Sequence, residues 1–491
     1  MTIDSAGSES DPNSNRKQME HYYSGLYTDF YELTMAQAFF FSEKRDTSAI
    51  FDLYFRSNPF KGGYGVFAGL EDAINGVLQF SFEKNDLDYL ASIGFRNEFL
   101  DYLADFRFSG SIHGFREGDI VFANDPLLRV ESSILEAQLI ESMLLNIINY
   151  QTLIATKATR AVFAAKGRDV VDFGLRRAQS MGAIAAARAA YIGGAKGTSN
   201  TFAAKRYHIP AVGTHAHSWI QSFDTELEAF RKYAEIYPDH TTFLVDTYGT
   251  LKSGIPHAIQ VAKELAEKGH ALQAIRLDSG DLAYFSKKAR KLLDNAGLAD
   301  VKIVASNQLD EKLIASLLEQ DAPIDVFGVG TRLVTGGEQS ALDGIYKLSS
   351  IGGVPTLKLS ESEEKINFPG RKNVVRYING DGKFAIDGVL LEDEVEDQIL
   401  ILRHPSIEFK KTRIVQEGLK PEKVFSPFVE KGNIVGSFPN LEKVRQFARE
   451  RFALLPDEHK RFVNPHIYRV GLSNRLYEMR RNLIEKGHNH G

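Results

Sequence analysis

The sequence contains no cysteine, which excludes disulfides, thiolate zinc sites and cysteine nucleophiles. It has no apolar run approaching the ~18 residues that a membrane-spanning helix needs. The first stretch, Met1 to Lys17, is rich in Ser, Asn and Asp and lacks the apolar segment of a signal peptide. No Gly-x-x-x-x-Gly-Lys-Ser/Thr loop occurs, so any bound nucleotide is not held by a P-loop. An excess of positive charge is missing too. Lys and Arg number 59 against 64 Asp and Glu, a net charge of −5, whereas non-specific nucleic-acid binding needs a basic field. Together these absences predict a cytoplasmic chain with neither a membrane nor a nucleic-acid partner. They leave its chemistry to Asp, Arg, His and backbone amides.

What is present is an ordinary globular composition, 43% hydrophobic and 25% charged, in a chain of 491 residues, long enough for two or three domains. Residues 1–20 read as a disordered lead-in. The tail from Lys486 to Gly491 looks equally loose, and His488 and His490 in it read as a solvated end rather than a metal site. Residues 21–130 are mixed, with a helix over 28–41 and a strand over 49–55. A long amphipathic helix is predicted over 133–156, opened by Ser133 and Glu136 as a capping box. The catalytic segment is taken as 131–345. A β-rich segment, 346–439, completes the mixed domain, and 440–491 reads as helical.

From about residue 157 the pattern becomes a βα alternation. Strands are predicted over 170–173, 211–214, 242–245, 274–277, 301–305 and 325–329, and helices over 255–268, 282–296 and 311–320. This spacing argues a parallel sheet. Nearly every strand ends in residues capable of chemistry: Asp172-Phe173-Gly174, Thr214 to Ser218, Asp246 to Gly249, Asp278 to Asp281, Ser306-Asn307 and Gly328 to Thr331. In a (β/α) barrel all such ends converge on one face, whereas an open doubly wound sheet concentrates them at one switch point. The barrel is therefore the expected fold.

Each cluster has a chemical reading and a structural alternative. Gly328, Gly330 and Thr331, with Ser306 and Asn307 one strand earlier, suit a phosphate through backbone amides and hydroxyls; the alternative is a plain tight turn. Asp246 and Asp278 suit sugar hydroxyls, Mg²⁺ or a positive charge developing on a sugar carbon. Arg276 offers a carboxylate a bidentate fork, or forms an internal ion pair with one of these aspartates. Arg176 and Arg177 form a phosphate or carboxylate grip or a solvated helix start. His215 and His217 are candidates for nucleophile or base, or satisfied core histidines. If the strand over 211–214 continues, the two share a face, being two residues apart, and periodicity does not choose between them.

Six segments in order, Thr28 to Met35, Asp172 to Arg177, Gly197-Thr198-Ser199-Asn200, Gly213-Thr214-x-Ala216-His217-Ser218, Arg276 to Asp281 and Gly328 to Thr331, resemble the nicotinate phosphoribosyltransferase family in sequence and spacing from about residue 21 to the end. The resemblance implies an irregular α/β barrel of the type II phosphoribosyltransferase kind, plus a mixed α+β domain from the N- and C-terminal segments. It implies a ligase-classified reaction of NAD salvage. Nicotinate and 5-phosphoribosyl-1-diphosphate would become nicotinate mononucleotide and diphosphate, with ATP hydrolysis coupled through a phosphohistidine at His217. His215 fills a variable position of the motif and receives no role. Mg²⁺ would enter through the substrate diphosphate. Tyr31, Phe173, Ser199, Thr214 and Arg276 would meet nicotinate, Tyr31 coming from the neighbouring subunit of a homodimer with shared sites. Arg176, Asp246, Asp278, Ser306, Asn307, Gly328, Gly330 and Thr331 would serve the phosphoribosyl diphosphate.

Ser199 separates the nearest relatives. The nicotinamide-using enzymes are expected to carry an aspartate after Gly-Thr, which would repel a carboxylate, whereas a serine donates to one. Quinolinate-using relatives are shorter and lack the N-terminal Tyr motif. A non-catalytic phosphosugar- or nucleotide-binding barrel remains a different-class alternative. A lyase of the aldolase type would want a lysine at a strand end, and none of the predicted ends carries one.

Overall fold

The computed structural model describes residues 2–3, 24–359, 367–399, 401–407, 409–414 and 418–488. The chain divides into two compact units: Ile154–Ser340 with Met1–Glu9, and Ser10–Leu153 with Ala341–Gly491. Among the described residues no helix is long and apolar enough to cross a membrane.

The first unit is built on six parallel strands, numbered in chain order: β1 (Asp169–Asp172), β2 (Ala211–Val212), β3 (Thr242–Leu244), β4 (Ala274–Leu277), β5 (Lys302–Ser306) and β6 (Val326–Val329). Runs such as Val170-Val171 and Ile303-Val304-Ala305 are buried, as strands covered on both faces must be. Five strands form the ladder β3-β4-β5-β6-β1. Single parallel bridges from Asp172 to Thr198 and from Thr198 to Ala211 extend that row to β2. Sequence neighbours β2 and β3 thus sit at opposite ends of the row. Yet Leu244 N–H, on β3, donates to His215 Nε2, just beyond β2, at 3.2 Å. The sheet therefore rolls up into an irregular barrel, and a side chain closes it where no backbone ladder does.

Helices Ile255–Glu267, Leu282–Asn295 and Glu311–Glu319 return the chain between strands. The starts of the last two are pinned. Asp281 Oδ1 accepts from Tyr284 N–H and Asp310 Oδ1 from Leu313 N–H, both at 2.9 Å, so the loops after β4 and β5 have fixed exits. Asp281, the last member of the Arg276-to-Asp281 motif, is thus a helix cap. Thr2–Ile3 pairs antiparallel with β2, within the lead-in expected to be disordered; the rest of residues 1–23, like 489–491, lies outside the described residues.

The second unit contains a seven-stranded sheet that includes Ser48–Phe55, Leu128–Ser133 and Gly344–Ile351. A six-stranded sheet includes Lys372–Ile378, Phe384–Leu391 and Arg469–Ser473. Two sequence expectations change here. The helix predicted over 133–156 is two helices, Ile134–Leu139 and Glu141–Ala164. Ser133 Oγ does accept from Glu136 N–H at 3.2 Å, but the Glu136 carboxylate turns to Ser109 N–H and Oγ, both at 2.9 Å, so only half the capping box forms. The second helix starts afresh because Glu32, fully buried, accepts from Ser142 N–H at 3.0 Å and Ser142 Oγ at 2.6 Å. Burial raises the Glu32 carboxyl to about 7, against the lowering pull of its bonds to Ser142 and Thr28. The C-terminal segment is not wholly helical either. Arg469–Ser473 is a strand paired parallel to Phe384–Leu391, and the alternation of Tyr468, Val470 and Leu472 was its sequence signal.

Candidate active site

The strand ends of the first unit meet around Arg276, the third residue of β4. Arg276 Nε donates to Ser306 Oγ at 2.9 Å, Nη1 to Thr214 Oγ1 at 3.1 Å and Nη2 to Asp278 Oδ1 at 2.8 Å. Ser306 Oγ in turn donates to Asp278 Oδ1. The guanidinium is thus held on three sides by residues from β4, from the end of β5 and from the turn after β2. Three of its five N–H donors are spent this way, and the side chain keeps 15% of its exposure. The internal ion pair with Asp278 and a binding role are therefore not alternatives, because the pair aims the remaining donors.

Phe173 lies beside this fork, its ring centroid 5.4 Å from the Arg276 guanidinium carbon. A Cβ added at Gly328 would sit 2.5 Å from Phe173 Cδ2 and Cε2, so the ring packs directly on the bare Cα of β6. Gly328 thus has a packing role that the reading of it as a phosphate-facing glycine did not include. Phe173 N–H donates to Val329 O at 2.9 Å, which fixes the backbone that carries the ring.

Asp246 follows β3. Its Oδ2 accepts from Asp278 N–H at 2.8 Å and from Ser279 Oγ at 2.6 Å, while its Oδ1 is buried with no partner. A buried carboxyl oxygen without a partner is costly unless a ligand donates to it or an ion binds it. Asp172 is different. It is fully buried and saturated, accepting from Thr198 Oγ1 at 2.7 Å and Gly174 N–H at 2.8 Å. Burial raises its pKa while those two bonds pull it down. Asp172 ties the Thr198 bridge into the sheet and so sets Ser199, whose N–H donates to Asp172 O at 2.8 Å.

The two histidines separate cleanly. His215 is buried against Tyr233, ring centroids 4.8 Å apart, and its Nε2 is occupied as an acceptor from Leu244. Burial pulls its pKa down to about 4, so it is a neutral core residue. His217 is the first residue of the short helix His217–Gln221, half-buried, with Nδ1 3.0 Å from Thr247 Oγ1. Strand β2 ends at Val212 and does not continue to the pair, so the two histidines share no strand face. Thr247 and Ser279 are site residues that sequence reading passed over. Both sit within the strand-end segments, and only their partners reveal them.

Other candidates are placed without such ties. Arg176 is exposed on the turn Leu175–Arg177. Asn307 is exposed with φ +94°, a left-handed conformation that turns the chain sharply after β5. Gly330 caps, and Thr331 begins, the short helix Thr331–Val334. Tyr31 belongs to the second unit, on the helix Phe30–Phe41, and is 46% exposed beside Phe30 at 60%. Burial of the ring and the nearby Glu141 and Glu32 carboxylates raise its phenol pKa.

The site is a planar aromatic platform next to a guanidinium fork, flanked by two carboxylates and a histidine. Three family profiles match the chain: the nicotinate phosphoribosyltransferase N-terminal domain over residues 26–149, the nicotinate phosphoribosyltransferase family over 169–376 and its C-terminal domain over 371–480. The nicotinate phosphoribosyltransferase of Bacillus subtilis is 45% identical, over 91% of this chain and 92% of its own. That of Mus musculus is 30% identical over 94% of this chain and 97% of its own. Among solved structures, human nicotinic acid phosphoribosyltransferase superposes with a TM-score of 0.83 at 29% identity, over 93% of this chain and 99% of that one.

Proposed function

The chain belongs to the nicotinate phosphoribosyltransferase family, and we propose that it joins nicotinate to 5-phosphoribosyl-1-diphosphate in NAD salvage, forming nicotinate mononucleotide and diphosphate. The observation that carries this reading is the braced Arg276 beside Phe173. A pyridine ring laid on Phe173 would present a carboxylate to the unspent guanidinium donors, and Ser199 would add a hydroxyl rather than a repelling charge. Tyr31 of a second subunit would cover the other face of the ring, making the active unit a cytoplasmic homodimer with shared sites.

The phosphoribosyl diphosphate would lie across Arg176, Asn307, Gly330 and Thr331, with Asp246 and Asp278 toward the ribose. Ser306 would act by holding Asp278, and Gly328 by seating Phe173. As the bond from the ribose carbon to diphosphate lengthens, positive charge grows on that carbon. The two carboxylates favour it while the fixed ring nitrogen closes from the opposite face. Among the described residues no cluster of three or more His, Asp or Glu side chains forms a metal site. The unpartnered Asp246 Oδ1 and the neighbouring Asp278 are nonetheless hard oxygen donors that fit Mg²⁺ carried in on the substrate diphosphate. Bound there, Mg²⁺ would offset the charge of the leaving diphosphate. His217, held by Thr247, would accept the phosphoryl group of ATP on its ring, releasing ADP.

Parallel assays with nicotinate, nicotinamide and quinolinate test the substrate. Turnover with nicotinate ahead of the other two is expected, and preference for nicotinamide would contradict the reading.

A further inference from the structure

The second unit holds a cavity of about 1280 Å³, walled largely by residues 402–407, 409–412 and 464–471. It shares no residue with the strand-end site of the first unit and does not depend on the activity proposed above. Arg56, Arg403, Lys410, Lys411, Arg461 and Arg469 line it, and Glu458 is its single carboxylate among the described residues. None of the last five cations is ion-paired to a described carboxylate. Arg403 Nε instead donates to Asn474 Oδ1 at 2.7 Å and Arg469 Nη1 to Thr412 Oγ1 at 3.3 Å, neutral partners that hold both groups in place.

The rest of the unit treats clustered cations differently. Arg376 is paired with Asp387, Lys372 with Asp52 and Arg451 with Asp119. Six Lys and Arg side chains against one described carboxylate make this lining basic in a chain of net charge −5, which favours an anion. The lining is also apolar in one place: Phe409 is 83% exposed and Ile467 79%. An exposed phenyl ring in the same cavity as guanidinium and ammonium groups offers both halves of one ligand chemistry, stacking for a planar base and charge-assisted bonds for a phosphate chain. The volume exceeds what such a ligand fills.

We infer that this cavity is a binding site for a nucleoside polyphosphate, with the phosphates on Arg403, Lys411, Arg461 and Arg469 and the base against Phe409. Hydrogen–deuterium exchange on the full chain, titrated in parallel with ATP and with inorganic tripolyphosphate, locates binding by the amides it protects. ATP is expected to slow exchange over 403–412 and 461–471. In Arg461→Glu/Arg469→Glu the half-saturating ATP concentration at those amides should rise at least about tenfold, the loss of two charge-assisted contacts. Both side chains are exposed. The milder Arg461→Gln/Arg469→Gln pair meets the same criterion if charge reversal disturbs folding. Phe409→Ala should weaken ATP and leave tripolyphosphate unchanged. No protection of these amides at millimolar ATP, or equal protection in the charge variants, overturns the site. Equal half-saturation by ATP and tripolyphosphate overturns the nucleotide as its ligand.

Discussion

Arginine meets aspartate in both units of this protein, to different ends. In the second unit Arg376 is fully buried. Its Nε and Nη2 donate to Asp387 at 2.9 and 2.6 Å, its Nη1 to Asp119 at 2.9 Å, and Nη2 also to Ile120 O at 2.7 Å. Arg451 and Tyr468 saturate the same carboxylates further, at 2.8 and 3.0 Å. In the first unit Arg276 spends three bonds, Asp278 keeps 27% side-chain exposure, and Asp246 leaves one buried oxygen unpartnered. The first arrangement spends four of the five guanidinium donors out of reach of solvent and holds two parts of a fold together. The second is fixed in position and incomplete in bonding, the condition for binding a ligand without reorganising around it.

Removing one partner from each cluster should break the comparison most visibly. Arg376→Met leaves Asp387 and Asp119 buried without their cation and is expected to cost roughly 3–5 kcal/mol, read as a fall in denaturation midpoint or as loss of soluble protein. His217→Ala should abolish ATP coupling and the phosphoprotein with little change in stability. His215→Ala should keep both, but lower stability by roughly 1–3 kcal/mol because it empties a packed aromatic site. Gly328→Ala pushes on the Phe173 ring and should raise the KM for nicotinate more than it changes stability, by a strain of about 1–3 kcal/mol in whichever is affected.

Glu32 sharpens the contrast as a third case, a buried acid with bonds but no cation. Its folded pKa of about 7 lies above the unfolded value of 4.5, so the unfolded chain loses its proton first as pH rises. Stability should therefore fall between about pH 4.5 and 7, by at most ~1.4 kcal/mol per unit, and level off above. Glu32→Gln should flatten that slope in a melting-temperature series.

Much of the first unit was legible because strands buried on both faces read as apolar runs and because their polar ends are chemically conspicuous. The parallel sheet and the Arg276, Asp278, Phe173 grouping follow from that. The roles inside the grouping were not legible. That Ser306 braces Arg276 and Asp278 depends on contacts between residues distant in sequence, whereas the Asp281 cap on Tyr284 N–H is local, and β2 stops at Val212, two residues short of the predicted end. In the second unit the strand Arg469–Ser473 lay hidden among charged residues, and the break at Ile140 arises from Glu32, a hundred residues earlier in the chain. Local periodicity carries the first only in the short alternation of Tyr468, Val470 and Leu472, and the second not at all.

The central claim is that the braced Arg276 reads a carboxylate on the pyridine ring. It is tested most directly by kcat/KM for nicotinate and nicotinamide in the wild type and in Arg276→Gln. The wild type should favour nicotinate, and the substitution should cut its kcat/KM by roughly a hundredfold or more while lowering that for nicotinamide far less, so that the ratio collapses. An unchanged ratio, with both substrates falling together, would contradict the claim and leave Arg276 as a brace alone.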